Sequence, residues 1–320
     1  MLVVMINTLA PMTPALVGYL IGLIYRNTRT SCVCLASLTD IAHDQLYRLL
    51  HSDFPFSRRL WEWFASRLVG GRGYLVLDDT TWQRWTKKAE AVSFVWDSSI
   101  GKVVFGMSVV LLVWTDGKRK VPLGLRVWQK GGKSKVELAA ELLRQAQGRG
   151  LSPEFVLFDS WYAAGALLEL IDGFGWRYIA ATKRNRLFEG VRIGRYFKHR
   201  FGRATGGLRR LSHQILLVKN GRKFLISNEV SLTSKAIKQH YRFRQQVEET
   251  FRLLKQEFGW GKCRARSVKA QTAHLHLGLY ALCLVQMKAE NETVYRFKQN
   301  LFRAAIPTQD QFIEAFTVSA

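Results

Sequence analysis

The chain is short of prolines and acidic residues, and each shortage narrows the class of protein. Only six of its 320 residues are proline and 48% are hydrophobic, which excludes a fibrous or low-complexity chain and predicts a packed globular protein. Against 48 Lys and Arg stand only 24 Asp and Glu, for a net charge of +24. This excess predicts a polyanionic partner such as nucleic acid, although it does not separate an enzyme from an architectural protein.

Cysteine is equally sparse. Cys32, Cys34, Cys263 and Cys283 have neither the spacing of a zinc site nor the density of a disulfide-stapled domain. We therefore expect reduced, structural thiols.

Hydrophobic runs long enough to span a membrane are also missing. The first 25 residues are apolar, but Pro11 and Pro14 interrupt them and no basic segment precedes them. The run from Ala15 to Ile24 is far shorter than the ~20 residues that a membrane span requires. We therefore expect a core helix beginning near Thr13 and Pro14, no membrane contact, and a soluble cytoplasmic protein.

Hydrophobic periodicity divides the chain into four segments. Residues 1–70 predict a small helical domain, in which Leu35 to Leu50 form two short helices at a corner. That corner suits either a DNA-binding helix-turn-helix or an ordinary helical bundle. Residues 71–182 alternate strands and helices, residues 183–235 predict a basic β insertion, and residues 236–320 return to helices.

The most informative segment runs from Tyr241 to Lys255, which contains neither glycine nor proline and predicts one helix. At about 100° per residue, Tyr241, Arg244, Glu248 and Lys255 project within about 60° of one another. One stripe therefore carries an aromatic ring, two cations and a carboxylate. A solvated charged face would show the same pattern.

Two aspartates upstream favour a site over a solvated face. Asp79 and Asp159 each follow a short apolar run that predicts a buried strand, and strand ends can converge on one edge of a sheet. Together with Glu248 they would offer oxygen ligands, which suit Mg²⁺. Two such ions can drive in-line displacement at a phosphodiester. Asp159 could instead cap the next helix, and Asp79 could begin a turn.

These residues resemble a known family. Tyr241-x2-Arg244-x3-Glu248-x6-Lys255 is similar to the signature of IS4-like DDE transposases, and Leu77 to Thr81 and Phe158 to Tyr162 resemble the family's two aspartate regions. The resemblance covers about residues 74–285. It departs at Asp159-Ser-Trp-Tyr162, where the prototype has an Asp-Arg-Glu-Ala-Asp run, and in its short amino-terminal domain.

The resemblance implies an α/β fold: an RNase H-like catalytic domain with a β-strand insertion between the second Asp and the Glu. It implies that Asp79, Asp159 and Glu248 are the catalytic residues and hold two Mg²⁺ or Mn²⁺ ions. Asp79 is preferred because the family's aspartate immediately precedes the Thr-Thr pair, and Asp78 is the alternative. Tyr241, Arg244 and Lys255 would bind DNA, with Phe224 stacking on a flipped base or serving as an ordinary strand aromatic. Regional DNA-binding candidates in the basic segment are Arg184, Arg186, Arg209 and Arg210.

The expected function is therefore DNA transposition by an insertion sequence. The enzyme would act as a metal-dependent endonuclease at the transposon ends and then join the freed ends to target DNA. The expected partners are double-stranded DNA and a second copy of the chain in a synaptic homodimer. Two alternatives stay open: an RNase H-like nuclease without strand transfer, and a non-catalytic, domesticated DNA-binding protein.

Overall fold

The computed structural model describes residues 12–25, 30–84, 88–97, 100–198, 202–289 and 292–317. They form two compact units. The helical unit comprises the described residues of Met1–Val69, Thr81–Met107 and Glu249–Ala320, and the sheet unit comprises those of Gly70–Thr80 and Ser108–Glu248. Strands β1 and β3 and helix α10, defined below, each contribute residues to both units.

The amino-terminal part of the helical unit is all helix, as its periodicity predicts. Its helices are α1 (Pro14–Tyr25), α2 (Cys32–Ala36), α3 (His43–His51), α4 (Phe56–Leu60) and α5 (Ser66–Leu68), with a π-helical turn at Trp61–Ala65. Helix α1 begins at Pro14, where proline is favoured because a first-turn amide has no partner inside the helix. The predicted apolar faces of this segment are buried.

Helix α11 (Val268–Lys288) is the core of the helical unit, and almost every side chain from Ala270 to Val285 is buried. It packs against α1, α3 and α4. Three further helices complete the unit: α10 (Gln245–Glu257), which begins in the sheet unit, α12 (Val294–Arg303) and α13 (Gln309–Thr317). Within the described residues, no helix combines the length and apolarity of a membrane span.

The helical unit also contains a small hairpin that the periodicity did not predict. Strand β2 (Ser93–Asp97) pairs antiparallel with the first residues of β3 (Lys102–Thr115). One face of this hairpin exposes Phe94 and Trp96.

Among the described residues, the main sheet of the sheet unit has the strand order β4, β3, β1, β5, β6, β11, β10, β9. Its strands are β1 (Tyr74–Gln83), β3, β4 (Lys120–Trp128), β5 (Phe155–Phe158), β6 (Tyr178–Thr182), β9 (Arg203–Gly207), β10 (Gln214–Asn220) and β11 (Lys223–Ser227). Strands β5 and β6 continue β1 in parallel, and β11 pairs antiparallel with β6. A separate pair is formed by β7 (Leu187–Phe188) and β8 (Val191–Arg192).

Four helices of the sheet unit follow its strands along the chain: α6 (Lys135–Gly148), α7 (Gly165–Gly173), α8 (Ile193–Tyr196) and α9 (Ser234–Tyr241). Strands β3 and β4 form an antiparallel hairpin, and Ser134 caps α6. The strands between residues 183 and 235 extend the sheet beyond β6, although residues 199–201 lie outside the described residues.

Two expectations about local structure need correction. Strand β1 does not end at Leu77 but continues to Gln83, because the β-favouring and buried residues Thr80, Thr81 and Trp82 extend it. The predicted helix from Tyr241 to Lys255 is interrupted: α9 ends at Tyr241, a 3₁₀ turn covers Arg242–Arg244, and α10 begins at Gln245. Phe243, within the turn, stacks on Tyr74 with ring centres 4.4 Å apart, and this tertiary contact accompanies the break.

Candidate active site

The register of β1 and β5 brings two aspartates side by side. These parallel strands pair Leu77 with Phe158, so the next residues, Asp78 and Asp159, are neighbours across the ladder. Neighbouring residues in a ladder point to the same face of the sheet, and successive residues of one strand point to opposite faces. Asp78 therefore lies beside Asp159, whereas Asp79 points to the other face.

Arg244 connects Asp78 to Glu248. Its Nη1 lies 2.9 Å from Asp78 Oδ2, and its Nη2 pairs with Glu248 Oε1. Asp78 and Arg244 are largely buried, whereas half of the Glu248 side chain is exposed. One guanidinium thus holds the carboxylate from β1 next to the carboxylate from the first turn of α10.

The environment of Asp78 disfavours its negative charge. Burial raises the pKa of Asp78 to about 7, and the nearby charges of Asp159 and Asp79 act in the same direction. Arg244 and the Asp79 backbone N–H, which donates to Asp78 Oδ1, only partly offset this effect. Such a site favours an additional positive charge.

Asp79 has a separate set of partners. The Tyr162 hydroxyl donates to its Oδ1 at 2.7 Å, Lys135 Nζ pairs with its Oδ2, and the Ser108 hydroxyl donates to Oδ2 at 3.3 Å. Burial and the Asp79 charge raise the pKa of Tyr162, so this hydroxyl remains a donor at neutral pH. Asp79 is therefore already surrounded by one cation and two hydroxyl groups.

These partners of Asp79 were missed by sequence reasoning. Lys135 is the first residue of α6, Ser108 lies on β3, and neither carries a local signal for a contact with β1. In the sequence, Tyr162 stands out only as the last residue of the second aspartate region. The closeness of Tyr162 to Asp159 in sequence was the signal that could have placed it in the site. The backbone N–H groups of Trp161 and Tyr162 both donate to Asp159 Oδ1, at 2.8 and 3.4 Å, and hold Tyr162 near the aspartates.

Of the other signature residues, Tyr241 belongs to the sheet unit with the aspartates. Its hydroxyl donates to the carbonyl of Phe158, the residue before Asp159, at 3.3 Å. Burial raises the pKa of Tyr241 to about 12. Lys255 belongs to the helical unit, where its Nζ donates to the Thr81 carbonyl at 3.1 Å and burial lowers its pKa.

The DNA-binding candidates of the basic segment differ in their surroundings. Arg184, Arg209 and Arg210 are exposed. Arg186 is half-buried and donates from Nη1 to the Ala163 carbonyl at 2.6 Å, so it supports the loop after Asp159. Phe224 is buried and stacks on Phe197 with ring centres 5.7 Å apart. Its surroundings are those of an ordinary strand aromatic, the alternative that the sequence left open.

The donor chemistry of the site fits a divalent cation. Asp78, Asp159 and Glu248 offer carboxylate oxygens, the ligands that Mg²⁺ and Mn²⁺ prefer. The raised pKa of Asp78 is the effect that a nearby cation would relieve. In the described parts of the chain, no three His, Cys, Asp or Glu residues are gathered closely enough to form a metal site, and Arg244 stands between Asp78 and Glu248.

One family of known proteins matches most of this chain. The family described as "Transposase DDE domain" matches residues 70–284, well over half of the chain. The chain belongs to this family. The match begins just before β1, ends near the end of α11, and includes both aspartates and Glu248.

Solved structures show that the fold is shared with a transposase. The piggyBac transposase, in a cryo-EM structure of its synaptic complex with hairpin DNA, aligns with a TM-score of 0.54 and 12% identity. The alignment covers 95% of this chain and 71% of that one. The NurA nuclease of Sulfolobus solfataricus aligns over 63% of this chain and 85% of its own, at 11% identity, with a TM-score of 0.30 that is too low to indicate a shared fold. None of the curated protein sequences matches this chain.

Proposed function

We propose that this protein is an IS4-like DNA transposase with an RNase H-like catalytic domain, which cuts at the ends of a mobile element and joins them to target DNA. The family match and the shared fold support this proposal. The observation that carries it is the placement of Asp78 beside Asp159, with Arg244 linking Asp78 to Glu248. The net charge of +24 suits a DNA partner.

In this proposal Asp78, rather than Asp79, is the first metal ligand, together with Asp159 and Glu248. Register favours Asp78, because it shares a face with Asp159. The contacts of Asp79 with Lys135, Tyr162 and Ser108 favour a supporting role on the opposite face of β1. Two Mg²⁺ or Mn²⁺ ions, when bound, would supply an activated nucleophile and stabilise the leaving oxygen.

The proposed reaction has two steps. Water attacks a phosphorus at the element end, a P–O bond forms, the bond to the 3′ oxygen breaks, and a 3′-hydroxyl is released. That hydroxyl then attacks a phosphorus of target DNA, forming the new strand joint and releasing a target 3′-hydroxyl. Arg244 would hold Glu248 beside Asp78 and contribute positive charge near the phosphate, with Tyr241 and Lys255 as further DNA contacts.

The first experiment measures metal binding without DNA, so that it does not depend on knowing the element ends. Mn²⁺ binding is followed by electron paramagnetic resonance for the wild type and for Asp78→Asn, Asp79→Asn and Glu248→Gln. We expect Asp78→Asn and Glu248→Gln to weaken Mn²⁺ binding at least about tenfold, because each removes a carboxylate ligand. Asp79→Asn should retain it. The reverse order of the two aspartate variants would establish Asp79 as the ligand.

The second experiment measures cleavage and joining. The element ends are to be identified as inverted repeats that flank the gene, bounded by short direct repeats. Asp78→Asn, Asp159→Asn and Glu248→Gln should abolish Mg²⁺-dependent cutting of this DNA while retaining binding, and Glu249→Gln, about 100° round α10, is the matched control. Cutting without joining would favour a simple nuclease. Binding without cutting by the wild type would favour a domesticated DNA-binding protein.

The proposed assembly is a homodimer that holds two DNA ends, in a cytoplasmic, nucleoid-associated protein. Support comes from the piggyBac structure, which is of a synaptic complex. Light scattering with and without end DNA tests the dimer. A particle that contains a single chain and a single DNA end under cleavage conditions would contradict it.

A further inference from the structure

The proposed ligands Asp78 and Asp159 lie just beyond the point where their strands stop pairing. Strand β5 ends at Phe158, and Leu77 with Phe158 is the last pair between β1 and β5. Strand β1 continues past this pair to Gln83. The ladder therefore determines which residues are neighbours, but it does not by itself hold the two carboxylates at a fixed separation.

The loop that follows β5 is attached to the Asp159 carboxylate by its own backbone. The N–H groups of Trp161 and Tyr162 both donate to Asp159 Oδ1, at 2.8 and 3.4 Å. These bonds tie the orientation of the carboxylate to the position of the loop. Any group that holds the loop in place therefore also holds Asp159.

Tyr162 connects this loop to β1. Its side chain is fully buried, and its hydroxyl donates to Asp79 Oδ1 at 2.7 Å. The backbone N–H of Asp79 in turn donates to Asp78 Oδ1 at 2.9 Å. A continuous path of hydrogen bonds and covalent bonds therefore runs between the two proposed ligands, and it passes through Tyr162 and Asp79.

Asp79 is a rigid acceptor for the Tyr162 hydroxyl. Lys135 Nζ pairs with Asp79 Oδ2, and the Ser108 hydroxyl donates to the same oxygen at 3.3 Å. Lys135 begins α6 and Ser108 lies on β3, so two other elements of the sheet unit hold this carboxylate. Hydrogen bonds to a charged acceptor are also stronger than those between neutral groups. The hydroxyl is therefore anchored to a fixed point and can restrain the loop.

We propose that Tyr162 is a positioning residue, whose hydroxyl holds Asp159 beside Asp78 by anchoring the loop after β5 to Asp79. Tyr162 acts through Asp159 and is not itself a metal ligand. Groups that orient a metal ligand typically change metal affinity by roughly 10–100-fold when they are removed. This inference rests on the proposed function for the role of the two carboxylates as ligands, whereas the restraint on Asp159 can be measured without metal.

The first test measures that restraint in metal-free protein. Isotopically labelled tryptophan gives an NMR signal for the Trp161 backbone N–H, which is assigned by its loss in Trp161→Phe. Tyr162→Phe keeps the ring and removes only the hydroxyl. It should speed exchange of the Trp161 N–H with solvent at least about tenfold, because the bond from this N–H to Asp159 opens more often once the loop is not anchored. The buried Trp114 on β3 should keep its exchange rate.

The second test measures Mn²⁺ affinity by electron paramagnetic resonance. Tyr162→Phe should weaken Mn²⁺ binding at least about tenfold. Asp79→Asn still offers the hydroxyl a hydrogen-bonding partner and should match the wild type in both tests. Asp79→Leu removes that partner and should reproduce both effects of Tyr162→Phe.

A matched tyrosine separates positioning from stability. Tyr178 on β6 is also fully buried, and its hydroxyl is hydrogen-bonded to His213 Nε2 at 2.9 Å. Tyr178→Phe removes a comparable buried hydroxyl from the same unit, but it should change neither Trp161 exchange nor Mn²⁺ affinity. An unchanged Trp161 exchange rate in Tyr162→Phe, or an equal acceleration in Tyr178→Phe, would overturn the positioning role.

The outcome is separable from that of the proposed function. If the wild type neither binds Mn²⁺ nor cuts DNA, but Tyr162→Phe alone accelerates Trp161 exchange, the catalytic proposal fails and the anchoring of Asp159 stands. If the wild type binds Mn²⁺ and cuts DNA while Tyr162→Phe has the Mn²⁺ affinity of the wild type, the positioning role fails alone.

Discussion

At the scale of single residues, two neighbouring aspartates have different partners because they point to opposite faces of one strand. Asp78 and Asp79 are chemically identical neighbours, yet one faces Asp159 and Arg244 and the other faces Lys135 and Tyr162. Alternation along a strand is the whole cause of this difference. Both aspartates could be identified in the sequence. The register of β1 with β5 could not be predicted, because it depends on residues that are far apart in the chain.

A buried histidine provides a prediction for the helical unit. His274 on α11 donates from Nε2 to the Gly259 carbonyl, 3.0 Å away, and in its neutral form accepts at Nδ1 from the Tyr19 hydroxyl, 2.9 Å away. Burial lowers the pKa of His274 to about 4, and the charge of Arg84 acts in the same direction. The Gly259 carbonyl acts in the opposite direction.

Because the native pKa lies below the unfolded value of about 6.5, the unfolded chain binds a proton that the native protein excludes. The free energy of unfolding should therefore fall by about 1.4 kcal/mol per pH unit below pH 6.5, and by about 3 kcal/mol in all by pH 4. His274→Gln retains a donor and an acceptor and should lack this component. Urea unfolding of both proteins at pH 7.5, 6 and 5 tests this. Identical pH slopes would show that His274 is protonated in the native state.

At the scale of elements, the start of α6 determines where Lys135 lies. Ser134 caps this helix: its hydroxyl accepts from the Glu137 backbone N–H, and the Glu137 carboxylate accepts from the Ser134 backbone N–H at 2.7 Å. The bonds that the Glu137 carboxylate accepts from the Ser134 backbone N–H and from the Ser134 hydroxyl lower the pKa of Glu137. The reciprocal cap fixes the first turn and with it the lysine that pairs with Asp79.

Ser134→Ala should therefore lower the free energy of unfolding by about 1 kcal/mol, the usual cost of losing a helix cap. Urea denaturation provides the measurement. Ser152→Ala, at an exposed position outside any helix or strand, is the control and should change stability little. A Ser134→Ala protein as stable as the control would mean that the cap does not support α6.

The hairpin between β10 and β11 allows a second test at this scale. Gly221 has a φ of +58°, and an added Cβ there would meet no atom within 4 Å. Any cost of Gly221→Ala therefore comes from backbone strain alone, and we expect about 1 kcal/mol. Gly71 has equally open surroundings but no positive φ, so Gly71→Ala should be neutral or slightly stabilising. Thermal unfolding of both variants distinguishes strain from crowding.

Local signals explain which elements could be predicted. The Asn220-Gly221 turn, the Ser134 cap and the apolar spacing in α1 are encoded within a few residues, and the structure has each of them. The length of β1, the break before α10 and the contacts of Asp79 depend on partners far away in sequence, such as Tyr74 against Phe243. No local pattern carries that information, and for this reason the preference for Asp79 over Asp78 depended on the resemblance alone.

At the scale of the whole molecule, the charge of +24 has a measurable consequence for DNA binding. Each cation that neutralises a DNA phosphate releases a counterion, so the logarithm of affinity falls linearly with the logarithm of salt concentration. Arg184→Gln and Arg209→Gln should each make this slope shallower by about 0.9, because both side chains are exposed in the basic segment. Fluorescence anisotropy with a duplex probe at several salt concentrations measures it.

Variants of two further arginines, Arg144 and Arg186, distinguish a direct contact with DNA from an effect of the total charge of the chain. Arg144→Gln removes an exposed cation from α6, outside the basic segment, and should leave the slope unchanged. Arg186 is half-buried on the Ala163 carbonyl, so Arg186→Gln should lower stability and change the slope less than Arg184→Gln does. Equal slopes for Arg144→Gln and Arg184→Gln would mean that DNA responds to the total charge of the chain. A slope change confined to variants of the basic segment would locate the DNA path along the edge of the sheet that carries Asp159.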